Sequence, residues 1–392
     1  MTRPTGTFAA WLMIALMPAV AAGQSPEELE AERQATFRDG MDAIVADLDR
    51  GDYASVIAAI DQEDMLQRIY GLRLIDQQVK KSFAERLEYT WHDMIRSGFS
   101  SVEDAFGATL LGVESRGQLG RAVVRFDLPK FQFSYHEYEL RLDDSGRMLV
   151  VDWTDFLAGK KFSDAIGEAL VMGMPSKPAM RKLLDFRNVS DVDLFQFGEL
   201  LKAARDGRLP RYLEILEQFD ERFQRQRIVV ETTVSLAKRA RKRREMLAGL
   251  ETMAEYFPNE PLYALMLLDH YFPRRKYEEA SRALLGLYRK LGFDDAAMEA
   301  RLSAAVLVMG NAGDAAGHAD KALQLEPGLE LAWWSALNAR AALEDYAQAA
   351  AALTVLADEF GHELGRDALS RNPSYRGLLD SAEYETWLGS RQ

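Results

Sequence analysis

The spacing of apolar residues changes twice along the chain, and each change marks a different kind of secondary structure. From Pro26 to Phe106 apolar residues recur at helical spacing, with an interruption at Gly51 and Asp52. The spacing then changes to two, as in a strand with one buried face. This alternation is clearest where polar residues separate Ala122, Val124, Phe126 and Leu128. Helical spacing returns after about residue 193.

The alternating region predicts a four-stranded antiparallel meander. The strands are expected at residues 109–114, 121–128, 131–142 and 147–157, and the Asp-Asp-Ser-Gly segment at 143–146 is a hairpin turn. Within the third strand the apolar positions change parity, from 131, 133 and 135 to 138, 140 and 142. We therefore expect this strand to be bent or bulged. Helices followed by a meander predict an α+β domain over residues 24–170.

The second half of the chain carries a repeat. A helix-ending residue recurs every 34 or 35 positions, at Pro258, Gly292, Pro327 and Gly361. Twelve positions before the last three lies a small residue, at Ala280, Ala315 and Ala349. A unit of this length is a helix-turn-helix that buries its apolar face only by stacking on neighbouring units. Residues 193–361 are therefore predicted to be helical pairs of near-equal length.

These repeats resemble the tetratricopeptide repeat (TPR) family, most specifically over residues 261–361. In the unit from 330 to 363, Trp333, Tyr346 and Ala349 fall on the family's fourth, seventeenth and twentieth positions. The resemblance implies a TPR-like solenoid that binds other proteins. The N-terminal domain is similar to the nuclear transport factor 2-like fold or to a cystatin-like relative. Residues 171–192 are expected to be a linker with a short helix, and 362–392 to cap the last repeat.

The N-terminus predicts export. Arg3 precedes an apolar run from Phe8 to Ala22 with an Ala-x-Ala site at 19–21, which is typical of a signal peptide over residues 1–23. The run is shorter than the ~20 residues of a membrane span, and no later stretch is apolar enough to span. The chain contains no cysteine, so it has no disulfide or lipoprotein-type acylation site. We expect a periplasmic or secreted protein without a transmembrane segment after cleavage.

Few residues suggest catalysis. None of the five histidines has a local zinc-binding spacing, and Ser235-Leu-Ala-Lys238 lacks the Lys-Thr-Gly strand of penicillin-binding enzymes. His136, Glu137 and Glu139 share one predicted strand and could line a ligand or metal site. Because adjacent strand residues point to opposite faces, a solvated or internally paired face is the favoured interpretation. We expect no enzyme activity, metal or cofactor.

Charge supplies the first candidate for a partner-binding site. The formal net charge is -13, which argues against nucleic acid as a partner. Against this background, six of the seven residues from Lys238 to Arg244 are basic. In the repeat register Arg241, Lys242, Arg243 and Arg244 fall at the same inter-helix turn as Arg274, Arg275 and Lys276 one unit later. This basic edge could be solvated, could dock on acidic N-terminal residues, or could bind an acidic partner.

The second candidate is the groove that the first helices of a TPR-like solenoid line. In the last unit its positions are Leu331, Trp334, Asn338 and Ala341, and Trp334 is a plausible peptide anchor. Alternatively, Trp334 packs beneath the C-terminal segment.

The function predicted from these features is that of an exported protein-protein scaffold or adaptor. The alternative is a small-molecule-binding or enzymatic N-terminal domain, localised or regulated by the repeats. An enclosed polar pocket around His136 would favour the alternative, and a filled core would count against it.

Overall fold

A computed structural model describes residues 25–71, 75–174, 176–184 and 190–391. The predicted signal peptide lies outside the described residues. The N-terminal domain begins with helices α1 (Pro26–Leu48), α2 (Ala54–Ala59), α3 (Gln62–Tyr70) and α4 (Gln77–Ser97). A sheet follows, with strands β1 (Gly107–Arg116), β2 (Leu119–Leu128), β3 (Gln132–Leu142), β4 (Met148–Asp155) and β5 (Lys160–Lys161). Helices α5 (Phe162–Gly173) and α6 (Lys177–Leu183) complete this part.

The sheet is an antiparallel meander in the order β1-β2-β3-β4-β5. The four predicted strands are present. The fifth has two residues, too few to show alternation in the sequence. β3 pairs with β2 without interruption, so the bulge predicted in β3 is wrong. The register shifts instead leave Leu111 of β1 and Val151 of β4 as extra residues.

The parity change in β3 has a different cause, because both faces of the sheet are buried. Tyr138 and Leu140 belong to the core that α1 to α5 form on one face. Phe133 and Tyr135 belong to a second core, shared with the C-terminal helices on the other face. The first half of β3 therefore points its large apolar side chains toward the C-terminal helices, and the second half points them toward α1 to α5. The sheet is therefore the middle of three layers.

The C-terminal part is helical, and no strand lies between residues 193 and 361. Its longer helices are α7 (Asp191–Arg205), α8 (Leu209–Leu216), α10 (Arg227–Arg239), α11 (Arg243–Tyr256), α12 (Ala264–Tyr271), α13 (Tyr277–Leu291), α14 (Ala296–Val308), α15 (Ala312–Leu325), α16 (Glu330–Ala342) and α17 (Tyr346–Asp358). Short helices are α9 (Glu221–Gln224), α18 (Arg366–Leu369), α19 (Arg376–Leu379) and α20 (Ala382–Gly389). Helix lengths are near-equal except in α8 and α12. The Asp220 N-cap starts α9 soon after α8, and α12 has a 3-10 turn at each end.

The predicted period is present as a recurring turn. Five helix pairs are each joined by a turn that contains one residue in the left-handed conformation. In chain order the pairs are α7/α8, α10/α11, α12/α13, α14/α15 and α16/α17, and we number their turns 1 to 5. The left-handed residues are Gly207, Arg241, Arg275, Gly310 and Glu344, spaced 34 or 35 residues apart. In every turn the next amide donates to the carbonyl five residues earlier, as in a Schellman motif. Ala280, Ala315 and Ala349 are fully buried.

The connector ends of α10, α13, α14 and α15, opposite the turns, lie against the sheet. Arg121 donates to the carbonyl oxygens of Lys290 at 3.0 Å and Leu291 at 2.6 Å. The ring of Phe293 lies so close to Gly112 that a Cβ atom there would be 2.3 Å from it. The sheet is therefore joined to the connector ends of the helices, and turns 1 to 5 lie at the other ends. A 13-residue helix such as α10 separates the two ends by about 20 Å.

None of the described helices is both long and apolar enough to cross a membrane.

Candidate functional site

Turns 2 and 3 carry nine exposed cations, which we call the basic ridge. Its members are Lys238, Arg239, Arg241, Lys242, Arg243, Arg244, Arg274, Arg275 and Lys276. Within the part of the chain that the structure describes, only Arg274 forms an ion pair, a 4.0 Å contact with Glu251. The other eight have no ion-pair partner among the described residues. No ion pair therefore joins the ridge to the part of the N-terminal domain that the structure describes.

Local backbone geometry distinguishes turns 2 and 3 from turns 1 and 4, and turn 5 shares this geometry through Glu344. Arg241 and Arg275 have φ angles of 54° and 55°, a conformation that glycine adopts far more readily than a residue with a Cβ atom. Turns 1 and 4 have glycine at this position. The chain thus places a cation at two turns where glycine would fit with less strain. Nearby, burial raises the pKa of Asp269 although the charges of Lys238 and Arg243 oppose that shift.

The second predicted site lies largely under the chain's own C-terminal segment. Tyr375 donates its hydroxyl hydrogen to Oδ1 of Asn338. Ala341 is buried in a cluster with Tyr375 and Leu378. Leu331 is half-buried and packs toward the cores near the sheet and α14. These three positions do not form an open groove.

Trp334 is half-buried and engaged within the chain. Its indole Nε1 donates to Glu330 at 2.9 Å, and its ring meets the ring of His362 edge-on with the centroids 5.1 Å apart. His362 begins the predicted capping region and contacts Glu330 through Nε2. These contacts agree with the interpretation that Trp334 packs beneath the C-terminal segment.

The surroundings of His136 are filled. Its fully buried ring packs on Phe126 and Phe99, with centroids 4.7 and 5.3 Å away, and Nε2 lies 3.7 Å from Asp155. Burial opposes ionisation of Asp155, but its contacts with His136 and Ser101 outweigh burial and lower its pKa. His136 lines none of the five main clefts among the described residues.

The two glutamates that flank Tyr138 on β3 are paired on the other face, as the favoured interpretation predicted. Glu137 contacts Arg121 at 2.7 Å and Lys290 at 3.0 Å, and Glu139 contacts Arg68 at 2.6 Å. Among the described residues, no cluster of His, Asp and Glu side chains is arranged to hold a metal ion.

Comparison with known proteins finds no family model that matches the chain and no curated protein similar to it. The site must be judged from its own geometry.

Sequence reasoning missed a cleft of about 960 Å³ between the sheet and α10. At its centre Lys160 lies 2.7 Å from both Glu168 and Glu231. Burial alone would lower the pKa of Lys160, but the two carboxylates outweigh it and raise the pKa. Arg227 at the rim contacts Glu260 at 3.0 Å. The ion pair between Lys160 and Glu231 joins the two parts of the molecule. The residues that line the cleft are far apart in the sequence, so no local sequence pattern predicts it.

The join also contains a buried charge network around Arg125 of β2. The Arg125 side chain has no exposed surface, and its guanidinium contacts Asp295 at 2.7 Å, Glu326 at 2.9 Å and Asp127 at 2.9 Å. Burial would lower the pKa of Arg125, but the three carboxylates outweigh burial and raise it. Tyr135 donates to the second oxygen of Asp295 at 2.5 Å.

Proposed function

We propose that this chain is an exported scaffold or adaptor protein that binds an acidic protein partner through the basic ridge of a TPR-like solenoid. The recurring left-handed turns support the solenoid, because a regular turn period is what stacked helical pairs require. Stacking would align turns 1 to 5 along one edge.

The observation that carries this proposal is the ridge itself. Eight exposed cations without an ion-pair partner among the described residues stand together on a protein with a net charge of -13. Such a field attracts an acidic surface and speeds its association, and salt screens the attraction over a Debye length of ~10 Å at 0.1 M. The ridge also lies at the helix ends that the sheet leaves uncovered.

The alternative function loses the feature on which it depended, since the core around His136 is filled. The charged groups at the centre of the interdomain cleft pair with one another, and they favour a structural join over a catalytic site.

The proposal can be tested by reversing charge on the ridge. The ridge variant carries Arg241→Glu, Arg243→Glu and Arg275→Glu. The control variant carries Arg116→Glu, Arg371→Glu and Arg376→Glu, three exposed arginines outside the ridge. Mature wild-type protein and both variants are immobilised and exposed to solubilised native envelope. The retained proteins are eluted with a salt gradient and identified by mass spectrometry.

We expect the wild type and the control variant to retain the same acidic protein, eluting at moderate salt, and the ridge variant to lose it. Unfolding curves should agree among the three within ~0.5 kcal/mol, because the changed residues are on the surface. Equal retention by the ridge variant, or equal loss in the control variant, would contradict the proposal.

A further inference from the structure

The edge that carries the basic ridge continues past it with a different chemistry. Val308 ends α14 two residues before the left-handed residue of turn 4, and Leu343 directly precedes that of turn 5. Their exposed fractions are 54% and 42%, which places them among the few large apolar side chains that the described residues leave exposed. Both side chains lie at the turn ends of their helices, on the edge that carries the basic ridge.

Charge also changes in one direction along this edge. Turns 2 and 3 carry the nine cations, whereas turn 4 has the uncharged residues Gly310 and Asn311. Turn 5 is acidic, with exposed Glu344 followed by Asp345, which pairs with Arg340 at 3.5 Å. The edge thus passes from strongly basic at turns 2 and 3, through uncharged at turn 4, to acidic at turn 5.

We infer that the partner contributes one continuous segment that lies along this edge, with acidic residues facing turns 2 and 3 and apolar residues facing Val308 and Leu343. The inference rests on the proposed function and specifies which kind of partner it requires. Charge complementarity fixes the orientation of the segment, because its acidic end would be repelled by Glu344.

A protein segment suits the whole edge better than an anionic membrane surface does. A membrane presents negative charge everywhere, so it would be attracted at turns 2 and 3 but repelled at turn 5. A polypeptide can change from acidic to apolar within a few residues.

The size of the edge limits the segment. Neighbouring helices pack about 10 Å apart, so turns 2 and 5 are separated by about 30 Å. An extended chain covers this distance with about 9 residues, and an α-helix with about 20.

Site-specific photocrosslinking in the native cells tests the inference on the full-length protein. The photoreactive residue p-benzoylphenylalanine replaces Lys242, Lys276, Val308 or Leu343, one position at a time. Matched controls replace Leu285 or Leu325, which have exposed fractions of 39% and 41% but lie away from the turns, within α13 and at the connector end of α15. Mass spectrometry of the crosslinked peptides identifies the partner and the residues attached at each position.

We expect all four edge positions to crosslink to one protein, within a stretch of about 9 to 20 residues, and the two controls to give none of this product. Acidic residues should map to positions 242 and 276, and apolar residues to positions 308 and 343. If positions 308 and 343 capture a different protein, lipid or nothing while position 242 captures an acidic protein, the inference is wrong and the proposed function stands. If position 242 captures no acidic protein, both fail.

A binding measurement with the partner segment so identified provides the quantitative test. The double variant Val308→Ser and Leu343→Ser should weaken binding at least tenfold without changing its salt dependence, because it removes apolar contact and no charge. The matched double variant Leu285→Ser and Leu325→Ser should bind as the wild type does. A change below twofold in the first variant would overturn the apolar part of the inference. If the full-length protein binds vesicles of anionic phospholipid more strongly than it binds the segment, the inference that the partner is a protein segment is wrong.

Discussion

Arg241 and Arg275 have a backbone conformation that lowers the stability of the fold and a charge that contributes to the basic ridge. A left-handed φ angle strains a residue with a Cβ atom by roughly 1 kcal/mol. The same turn at Gly207 and Gly310 shows what backbone geometry alone favours. Strained residues cluster at functional sites, so the conformation of the two arginines supports the proposal that the ridge binds a partner.

Replacing these arginines with glycine should therefore stabilise the fold while removing charge from the ridge. We expect Arg241→Gly and Arg275→Gly each to raise the free energy of unfolding by up to about 0.5 kcal/mol, because relief of strain exceeds the added freedom of the unfolded chain. Urea unfolding measures the change. Ala248→Gly, at an exposed position inside α11, is the control and should lower stability by about 1 kcal/mol. Destabilisation by the two turn variants would show that their arginines support the turns.

A second residue-scale prediction concerns Glu299 of α14, whose side chain is 2% exposed. It contacts His318 at 2.6 Å, and Lys321 and Tyr288 at 2.8 Å each. Burial would raise its pKa, but these contacts outweigh burial and lower the pKa from 4.5 to about 2. The unfolded chain therefore binds a proton near pH 4.5 that the folded protein does not bind. The stabilisation is complete above pH 4.5 and is lost as the pH falls toward 2.

This linkage predicts the pH dependence of a variant. Between pH 5.5 and 3.5 the wild type should lose about 1 kcal/mol more stability than Glu299→Gln, which has no titrating group at this position. Urea unfolding at several pH values measures both slopes. The exposed Glu278→Gln should keep the wild-type slope. Parallel slopes for the wild type and Glu299→Gln would show that the contacts do not hold the carboxylate ionised.

At the scale of elements, the small residues of the repeat allow a matched test on one helix. In α17, Ala349 is fully buried, whereas Ala351 is exposed. We expect Ala349→Phe to cost about 1 to 3 kcal/mol through overpacking and Ala351→Phe to stay within ~0.5 kcal/mol. Ala315→Phe, at the equivalent buried position of α15, should behave like Ala349→Phe. Thermal unfolding compares the three variants, and equal melting temperatures would mean that the repeat register is wrong.

The sequence predicts elements well where one local pattern determines them. The 34-residue period lies in helix-ending and small residues, and the structure has its turns at that period. The error in β3 arose because parity analysis assumes that one face of a strand is buried. Phe133 and Tyr138 are buried on opposite faces by layers that come from opposite ends of the chain, which a local pattern cannot show.

Parts of the candidate site could also be predicted from the sequence, and other parts could not. The basic ridge could be predicted, because its charges are contiguous in sequence and the period relates the two turns. The groove position at Asn338 could not be assessed from spacing, since Tyr375 covers it from 37 residues away. The interdomain cleft could not be predicted at all, because Lys160 and Glu231 meet only after the sheet has packed on the helices.

At the scale of the whole molecule, the contact between the sheet and the helices makes the two parts one unit. Arg125 lies at the centre of that contact, where it pairs with Asp295. Asp295 also caps α14 by accepting a hydrogen bond from the amide of Met298. A buried ion pair contributes little compared with a well-packed apolar pair, but removing one partner leaves an uncompensated buried charge.

Arg125→Met should therefore destabilise the protein by about 3 to 5 kcal/mol. Because the loss falls on the join, we expect the single unfolding transition to separate into two, as followed by calorimetry. Adding Asp295→Asn, which keeps a cap acceptor but removes the stranded charge, should recover part of the loss. Arg147→Met is the control, since its side chain is 68% exposed and its ion pair is with Asp143 in its own hairpin. A loss below 1 kcal/mol in Arg125→Met, with one transition retained, would mean that apolar contacts alone join the sheet to the helices.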